Sequence, residues 1–243
     1  TKFPEYSPSI SADESMMIFT ACKDNTTGGK IDPYENVFFE DIYISYNVNG
    51  KWSEPINPGK PLNTDSHDAA IALSPDGQSL LIFKGSVGLG DIFECKLKGN
   101  EWSKPQSLGK VVNTEYTEKS ASYGPDGRTI YFVSDGPGGF GESDIYVVKL
   151  DDKGRWGNIQ NLGPIINTAY DEAGVFMHPD GKTLYFSSRG HKTMGGYDIF
   201  KSVFENGKWC EPINIGYPIN TTEDDIFFSI TASAKYAYYS SNK

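Results

Sequence analysis

A repeat of about fifty residues runs through the whole chain and restricts its possible folds more than any other feature. Four independent sequence markers share this period, so chance repetition does not explain it. The markers are a tryptophan at Trp52, Trp102, Trp156 and Trp209, the start of Asp-Ile-(Tyr/Phe) at Asp41, Asp91, Asp144 and Asp198, the start of Asn-Thr at Asn63, Asn113, Asn167 and Asn220, and the start of Pro-Asp-Gly at Pro75, Pro125 and Pro179.

Each repeat is predicted to form four short antiparallel strands, which we letter a to d in chain order. The segments are rich in β-branched and aromatic residues, and turn sequences such as Pro-Asp-Gly and Asn-Gly separate them. The proline in strand d, Pro212 in the fourth repeat, suits an edge strand. In that repeat the predicted strands cover 172–177, 184–188, 198–204 and 208–213.

Four strands cannot bury both faces of their sheet, but radially stacked copies can, as in a β-propeller. We therefore expect an all-β fold: a five-bladed β-propeller of four-stranded antiparallel blades, with the fifth blade truncated to strands a and b. Strand b of that blade would have an unpaired edge. The prediction is one domain over 1–243, with repeats at about 5–67, 68–117, 118–171 and 172–224 and a partial repeat at 225–243.

Composition excludes several classes of function. The formal net charge is −10, which disfavours binding to nucleic acid. No run of 18 apolar residues occurs, so direct membrane insertion is not expected. The three cysteines are widely spaced and form no CxxC motif, so we expect neither a disulfide framework nor a zinc site. No cofactor and no metal are predicted.

The repeat resembles a known family. Its elements are Pro-Asp-Gly-(Lys/Arg)-Thr-(Leu/Ile)-Tyr-Phe, Gly-Gly-x-Asp-Ile-(Tyr/Phe), Trp-x-x-Pro and Leu-Gly-x-x-Ile-Asn-Thr. Together they are similar to the WD-repeat-like repeat of TolB-type propellers, above all the version inside OmpA-family envelope proteins of Gram-negative bacteria. The resemblance implies a periplasmic, outer-membrane-associated location as part of a longer protein, and a protein or peptide partner. One departure is Ile159, which replaces the proline found at Pro55, Pro105 and Pro212.

Two sets of residues are candidates for binding. The b–c loops vary in length and composition between repeats, as recognition loops on a rigid scaffold do. Their candidate contact residues are Phe140, His191, Met194 and Tyr197. The alternative is that these glycine-rich loops only close hairpins and pack their aromatic side chains against the blade.

The second set is an acid four residues after each repeat threonine, at the start of strand a. Five such acids around the channel mouth would attract a cation or a basic peptide. The alternative is architectural, with each acid accepting hydrogen bonds from the backbone of the d–a connection. The acids are Glu5, Asp68, Glu118, Glu172 and Asp225.

The sequence favours a non-catalytic binding or scaffold propeller that mediates protein–protein or peptide interaction. HExxH, GxSxG and P-loop motifs are absent. The alternative is a carbohydrate-binding or glycoside-hydrolase-type propeller that acts on a glycan at the channel mouth. An enzyme of that kind needs two carboxyl groups roughly 5–9.5 Å apart in a deep pocket.

Overall fold

The computed structural model describes residues 3–33, 36–86 and 89–242, and every regular element in these ranges is a β-strand. The strands form antiparallel four-stranded blades of a β-propeller, as the repeat predicts. Four sheets have four or five strands each, and the fifth repeat forms a sheet of two strands.

Each complete blade contains strands a to d in sequence order from the axis outward. In the first blade these are β1 (Glu5–Ile10), β2 (Met16–Ala21), β3 (Asp41–Val48) and β4 (Lys51–Trp52). The second has β5 (Asp68–Leu73), β6 (Ser79–Ser86), β7 (Leu89–Lys98), β8 (Glu101–Trp102) and β9 (Gln106–Ser107). In this blade the pairing of β6 with β7 reaches Ser86 and Leu89, so the two strands extend into the region of the b–c loop, and residues 87–88 lie outside the described part.

The third blade has β10 (Glu118–Tyr123), β11 (Thr129–Ser134), β12 (Asp144–Leu150) and β13 (Trp156–Asn161). The fourth has β14 (Glu172–Met177), β15 (Thr183–Ser188), β16 (Asp198–Glu205), β17 (Lys208–Trp209) and β18 (Ile213–Asn214). The last sheet contains β19 (Asp225–Ile230) and β20 (Ala237–Ser241), and β20 pairs only with β19 within the described chain.

Strand d is where the prediction of one continuous strand is wrong. In the second and fourth blades a proline divides it into two short strands, because proline has no N–H to donate to the ladder. Pro212, for example, separates β17 from β18. The third blade has Ile159 instead, and its β13 continues unbroken over six residues.

The inner strands lie side by side around the axis, and serine hydroxyl groups link them. The N–H groups of Val175 and Met177 donate to the side chains of Ser120 and Ser122 in the neighbouring blade, at 3.3 and 3.0 Å. The Ser229 hydroxyl donates to the carbonyl of Pro8 at 3.0 Å, which joins the last sheet to the first. Small side chains are required here because the strands converge, and serine also supplies a hydrogen-bonding group.

Hydrophobic clusters fill the spaces between neighbouring complete blades. The cluster between the third and fourth blades contains Ile145 and Ile166 from one side and Leu184, Phe186 and Trp209 from the other. The repeat tryptophan is therefore a packing residue near the rim, as the sequence suggested.

The asparagine of each Asn-Thr pair fastens the d–a connection to strand c. Asn167 is buried, and its side chain accepts from the Ile145 N–H at 2.8 Å and donates to the Ile145 carbonyl at 2.9 Å. It therefore takes the place of a neighbouring strand for one residue. The other three asparagines make the same pair of bonds with Ile42, Ile92 and Ile199.

We predict that Asn167→Ala lowers the free energy of unfolding by about 2–4 kcal/mol, because it leaves the buried N–H of Ile145 without its partner and removes one of the two donors to the Ile145 carbonyl, the other being the N–H of Leu162. The exposed Gln160→Ala is the matched control and should change stability by less than about 0.5 kcal/mol. Urea unfolding followed by tryptophan fluorescence measures both. Equal effects of the two substitutions would contradict the structural role given to Asn167.

Candidate binding face at the b–c loops

The b–c loops and the d–a connections lie at the same end of the propeller, which we call the loop face. In the first, third and fourth blades, the aspartate that begins strand c holds the b–c loop in place. Asp144 accepts from the N–H of Phe140 at 2.6 Å and from the side chain of Asn161 at 2.7 Å. Asp198 accepts in the same way from Met194 and Asn214. The loops are thus anchored at their bases while their tips differ.

Glycine is required in two of these loops because they press against the next d–a connection. A Cβ on Gly141 would collide with the backbone of residues 168–170, and one on Gly195 would collide with the backbone of Thr222. In the third and fourth blades, the glycine three residues before the aspartate of strand c therefore marks close contact between a loop and the following d–a connection.

The four loop candidates are not brought together into one site. Phe140 and Met194 are each about half exposed, at 51% and 50%, on different blades. Tyr197 is half-buried beneath Arg189, whose guanidinium carbon lies 4.2 Å from the ring centroid. His191 packs on the stacked rings of Phe186 and Phe200 in its own blade, with ring centroids 5.7 and 5.1 Å away.

The acids at the start of strand a have the surroundings expected of the architectural alternative. Asp68, Glu118, Glu172 and Asp225 are fully buried, and each accepts from the repeat threonine four residues earlier. Thr168 donates both its N–H and its hydroxyl to Glu172, at 2.9 and 2.8 Å. Glu5 differs from the others, since it is exposed and paired with Lys23 at 2.7 Å. A binding role for these acids remains a prediction.

Burial dominates the ionisation of two of these acids. It raises the pKa of Glu172 to about 7, against the hydrogen bonds from Thr168 and Ser188, and the negative charge of Asp144 adds to the rise. Burial also raises the pKa of Glu118 above its ordinary value.

A small cavity of about 200 Å³ lies at the channel mouth, lined by Tyr6, Glu40, Lys119 and Phe227 among others. Tyr6 donates its hydroxyl to Glu40, which is also 3.2 Å from His67. Burial raises the pKa of Glu40, and the positive charge of His67 partly offsets the rise. Glu40 is the one carboxylate among the described residues that line this cavity.

Phe227 is held in the left-handed backbone region, with φ of 57°. A bulky side chain rarely adopts this conformation, which costs of order 1–3 kcal/mol. The strained position lies at a bulge in β19, and the Phe227 ring stacks on Tyr6 with centroids 6.3 Å apart. Ser7 and Gly174, at the equivalent positions of the first and fourth blades, also have positive φ, so this bulge belongs to the repeat. The channel mouth is a second candidate on the loop face because its cavity brings the Tyr6–Phe227 pair beside Glu40.

A larger cavity, of about 600 Å³, opens over the third blade. Its floor is the stacked pair Phe132 and Tyr146, and its walls include Tyr116, Pro137 and Ile159. Sequence reasoning missed this cavity as a site. The only feature of the sequence that pointed to this cavity was Ile159, which replaces the proline found in the other repeats.

Within the described residues, no three His, Cys, Asp or Glu side chains are grouped so that they could hold a metal ion. None of the three cysteines forms a disulfide bond within this part of the chain. Among the same residues no helix has the length and apolar character needed to cross a membrane.

No protein-family model matches the sequence, and no curated protein matches it in a sequence search. Solved structures share the fold. TolB from Acinetobacter baumannii is 17% identical, with a TM-score of 0.57, over 93% of this chain and 46% of TolB. The chain thus spans about half the length of that TolB.

Two other similar structures come from different kinds of protein. A chain of the nidogen/laminin complex is 14% identical, with a TM-score of 0.54, over 83% of this chain and 66% of its own length. The α-L-arabinofuranosidase of Lactobacillus brevis is 11% identical, with a TM-score of 0.55, over 97% of this chain and 82% of its own length. The chain therefore has the fold of TolB-type β-propellers, and function must be argued from its surface.

The pKa of Glu172 predicts a pH dependence of stability. The folded state holds this proton more tightly than the unfolded chain, whose carboxyl pKa is near 4.5. The resulting stabilisation is complete below the unfolded pKa and is lost as pH rises through about 7. Its full size is on the order of 3 kcal/mol.

Glu172→Gln cannot titrate, so the stability of this variant relative to the natural chain should rise between pH 4.5 and pH 8. Urea unfolding at several pH values measures the difference, and Asp152→Asn, at an exposed carboxylate, is the control. Parallel pH profiles for the natural chain and Glu172→Gln would refute the elevated pKa. A large loss of stability at every pH would show that the carboxylate is needed as a structural cap.

Proposed function

We propose that this chain is a non-catalytic protein-binding propeller that recognises a protein or peptide partner with its loop face. The observation that carries the proposal is the clustering of exposed apolar side chains there. Nine of the seventeen exposed large hydrophobic side chains among the described residues belong to b–c loops or d–a connections. They are Ile31, Val37, Val111, Tyr116, Phe140, Ile165, Tyr170, Met194 and Tyr217.

Apolar side chains concentrated at one end of a molecule are typical of interaction surfaces, and aromatic residues and methionine are enriched at the centre of such surfaces. The opposite end consists of short turns built on Pro-Asp-Gly and Asn-Gly sequences. A propeller of similar fold occurs in the nidogen/laminin complex, an assembly of two proteins. This similarity is consistent with a binding role for the fold and adds no residue to the site.

A glycan-binding or glycosidase propeller is the second candidate. The similarity in fold to an α-L-arabinofuranosidase favours it, as do the aromatic pair and the raised pKa of Glu40 at the channel mouth. Hydrolysis by the usual mechanisms needs a second carboxylate in the same pocket. Since Glu40 is the one carboxylate among the described lining residues, the geometry favours binding over catalysis.

We also propose a wider context. The two-stranded sheet β19–β20 is the inner half of a fifth blade, so the chain is one five-bladed domain with repeats at the predicted boundaries. The repeat motifs support placement in a longer OmpA-family-like protein of the cell envelope, in the periplasm and associated with the outer membrane. The similarity to TolB in fold is compatible with this placement.

Site-specific photo-crosslinking in the native cell distinguishes the two ends of the propeller. A photoreactive phenylalanine at Phe140 or Met194 should give a discrete cross-linked protein. The same probe at Asn100 or Asn206, in the turns of the opposite end, should give none. A partner captured only from the Asn100 and Asn206 positions would overturn the assignment of the loop face, as would a failure of all four positions to capture any protein.

A further inference from the structure

In each complete blade, the residue two positions after the aspartate of Asp-Ile-(Tyr/Phe) on strand c lies opposite a residue of strand b. In three blades both are aromatic and stacked, with centroids 5.8–6.1 Å apart. The pairs are Phe19–Tyr43, Ile82–Phe93, Phe132–Tyr146 and Phe186–Phe200.

The first and fourth blades cover their aromatic pairs with a nitrogen-bearing side chain from their own b–c loop. In the first blade the Lys23 ammonium lies 4.7 Å from the centroid of Tyr43. In the fourth, the imidazole of His191 packs on the pair, and its Nε2 is 2.9 Å from the carbonyl oxygen of Ile166.

The carbonyl just before each buried asparagine is the second part of this arrangement. Ile166 precedes Asn167, and its carbonyl contacts His191. The equivalent carbonyl of Leu62 accepts from the Lys84 ammonium at 3.1 Å. Each of these two carbonyls therefore has a side-chain nitrogen within hydrogen-bond distance.

The third blade has the same floor and the same carbonyl but no cover. Pro137 stands where His191 does, three residues after the end of strand b, and it has no nitrogen to donate. The equivalent carbonyl is that of Val112, which accepts no hydrogen bond within the described part of the chain. The result is the open cavity of about 600 Å³ over Phe132 and Tyr146.

We propose that this cavity binds an arginine side chain of a protein partner, a proposal that rests on the protein-binding function above. A guanidinium is flat, like the imidazole of His191, and positively charged, like the ammonium of Lys23, so it can cover an aromatic pair in the same way. It stacks on the Tyr146 ring and donates to the Val112 carbonyl. Glu115 and Lys110 both line the rim, so their charges offset each other and the aromatic floor and the carbonyl provide the selectivity.

The first test is an NMR titration of the full chain with N-acetyl-arginine methylamide. The matched control is N-acetyl-citrulline methylamide, which has nearly the same shape and no charge. We expect saturable shifts at Tyr146 and Ile159 with the arginine compound, and roughly fivefold weaker binding of the citrulline compound. Equal affinity for the two compounds would overturn the cationic assignment. Shifts at these residues with chitobiose but not with arginine would assign the cavity to a glycan instead.

The second test uses two substitutions, one that covers the aromatic pair of the third blade and one that uncovers the pair of the fourth. Pro137→His supplies the missing cover and should weaken arginine binding at least roughly tenfold, a change of about one power of ten in Kd. His191→Gly uncovers the pair in the fourth blade and should add a second binding site with shifts at Phe200. Thermal unfolding of each variant shows whether the fold is intact. Undiminished binding to a folded Pro137→His variant would refute the proposal.

The cross-linking experiment separates this proposal from the proposed function. If Pro137→His abolishes arginine binding and also the cross-links from Phe140, both proposals are supported. If cross-linking persists in a folded Pro137→His variant, the loop face binds its partner without this cavity, and only the arginine proposal fails. If the natural chain gives no cross-links from the loop face, the proposed function itself fails.

Discussion

The bond pair between each Asn-Thr asparagine and the backbone of strand c is the interaction on which the rest of this propeller depends. Asn167 satisfies the N–H and C=O of Ile145 and also donates to Asn161. Asn161 in turn donates to Asp144, which holds the b–c loop. One buried amide therefore joins the d–a connection, strand c and the base of the b–c loop, and an unsatisfied group anywhere in this network would carry a desolvation cost.

This network explains how a regular scaffold can have irregular loops. The base of a loop is fixed by an aspartate and by glycines that permit close approach to the next blade, as at Gly141 and Gly195. The residues between these anchors make contacts that differ from one blade to the next, as those of Lys23 and His191 do. They are free to differ between blades, and so Lys23, Pro137 and His191 come to occupy related positions over similar aromatic pairs.

The comparison among blades also separates architecture from recognition. Features present in every complete blade, such as the asparagine bonds, are explained by folding alone. The acids at the start of strand a belong mostly to this group, since four of the five are fully buried against their threonines. Features that break the repeat are better candidates for function. Ile159 and Pro137 differ from their counterparts in the other blades, and both line the cavity of about 600 Å³ over the aromatic pair of the third blade.

The sequence by itself determined the β-propeller fold and the antiparallel order of strands a to d in each complete repeat, because fifty-residue periodicity and turn motifs are local signals that need no knowledge of packing. It also pointed to the loop face. It did not determine which side chains remain open there. The sequence predicted both His191 and Phe140 as contact residues, and only the packing of three rings shows that His191 lies against the aromatic pair of its own blade. Whether a side chain is buried depends on residues distant in the chain, and only the tertiary structure brings those residues together. The raised pKa of Glu172 and the open cavity beside Pro137 both follow from that packing.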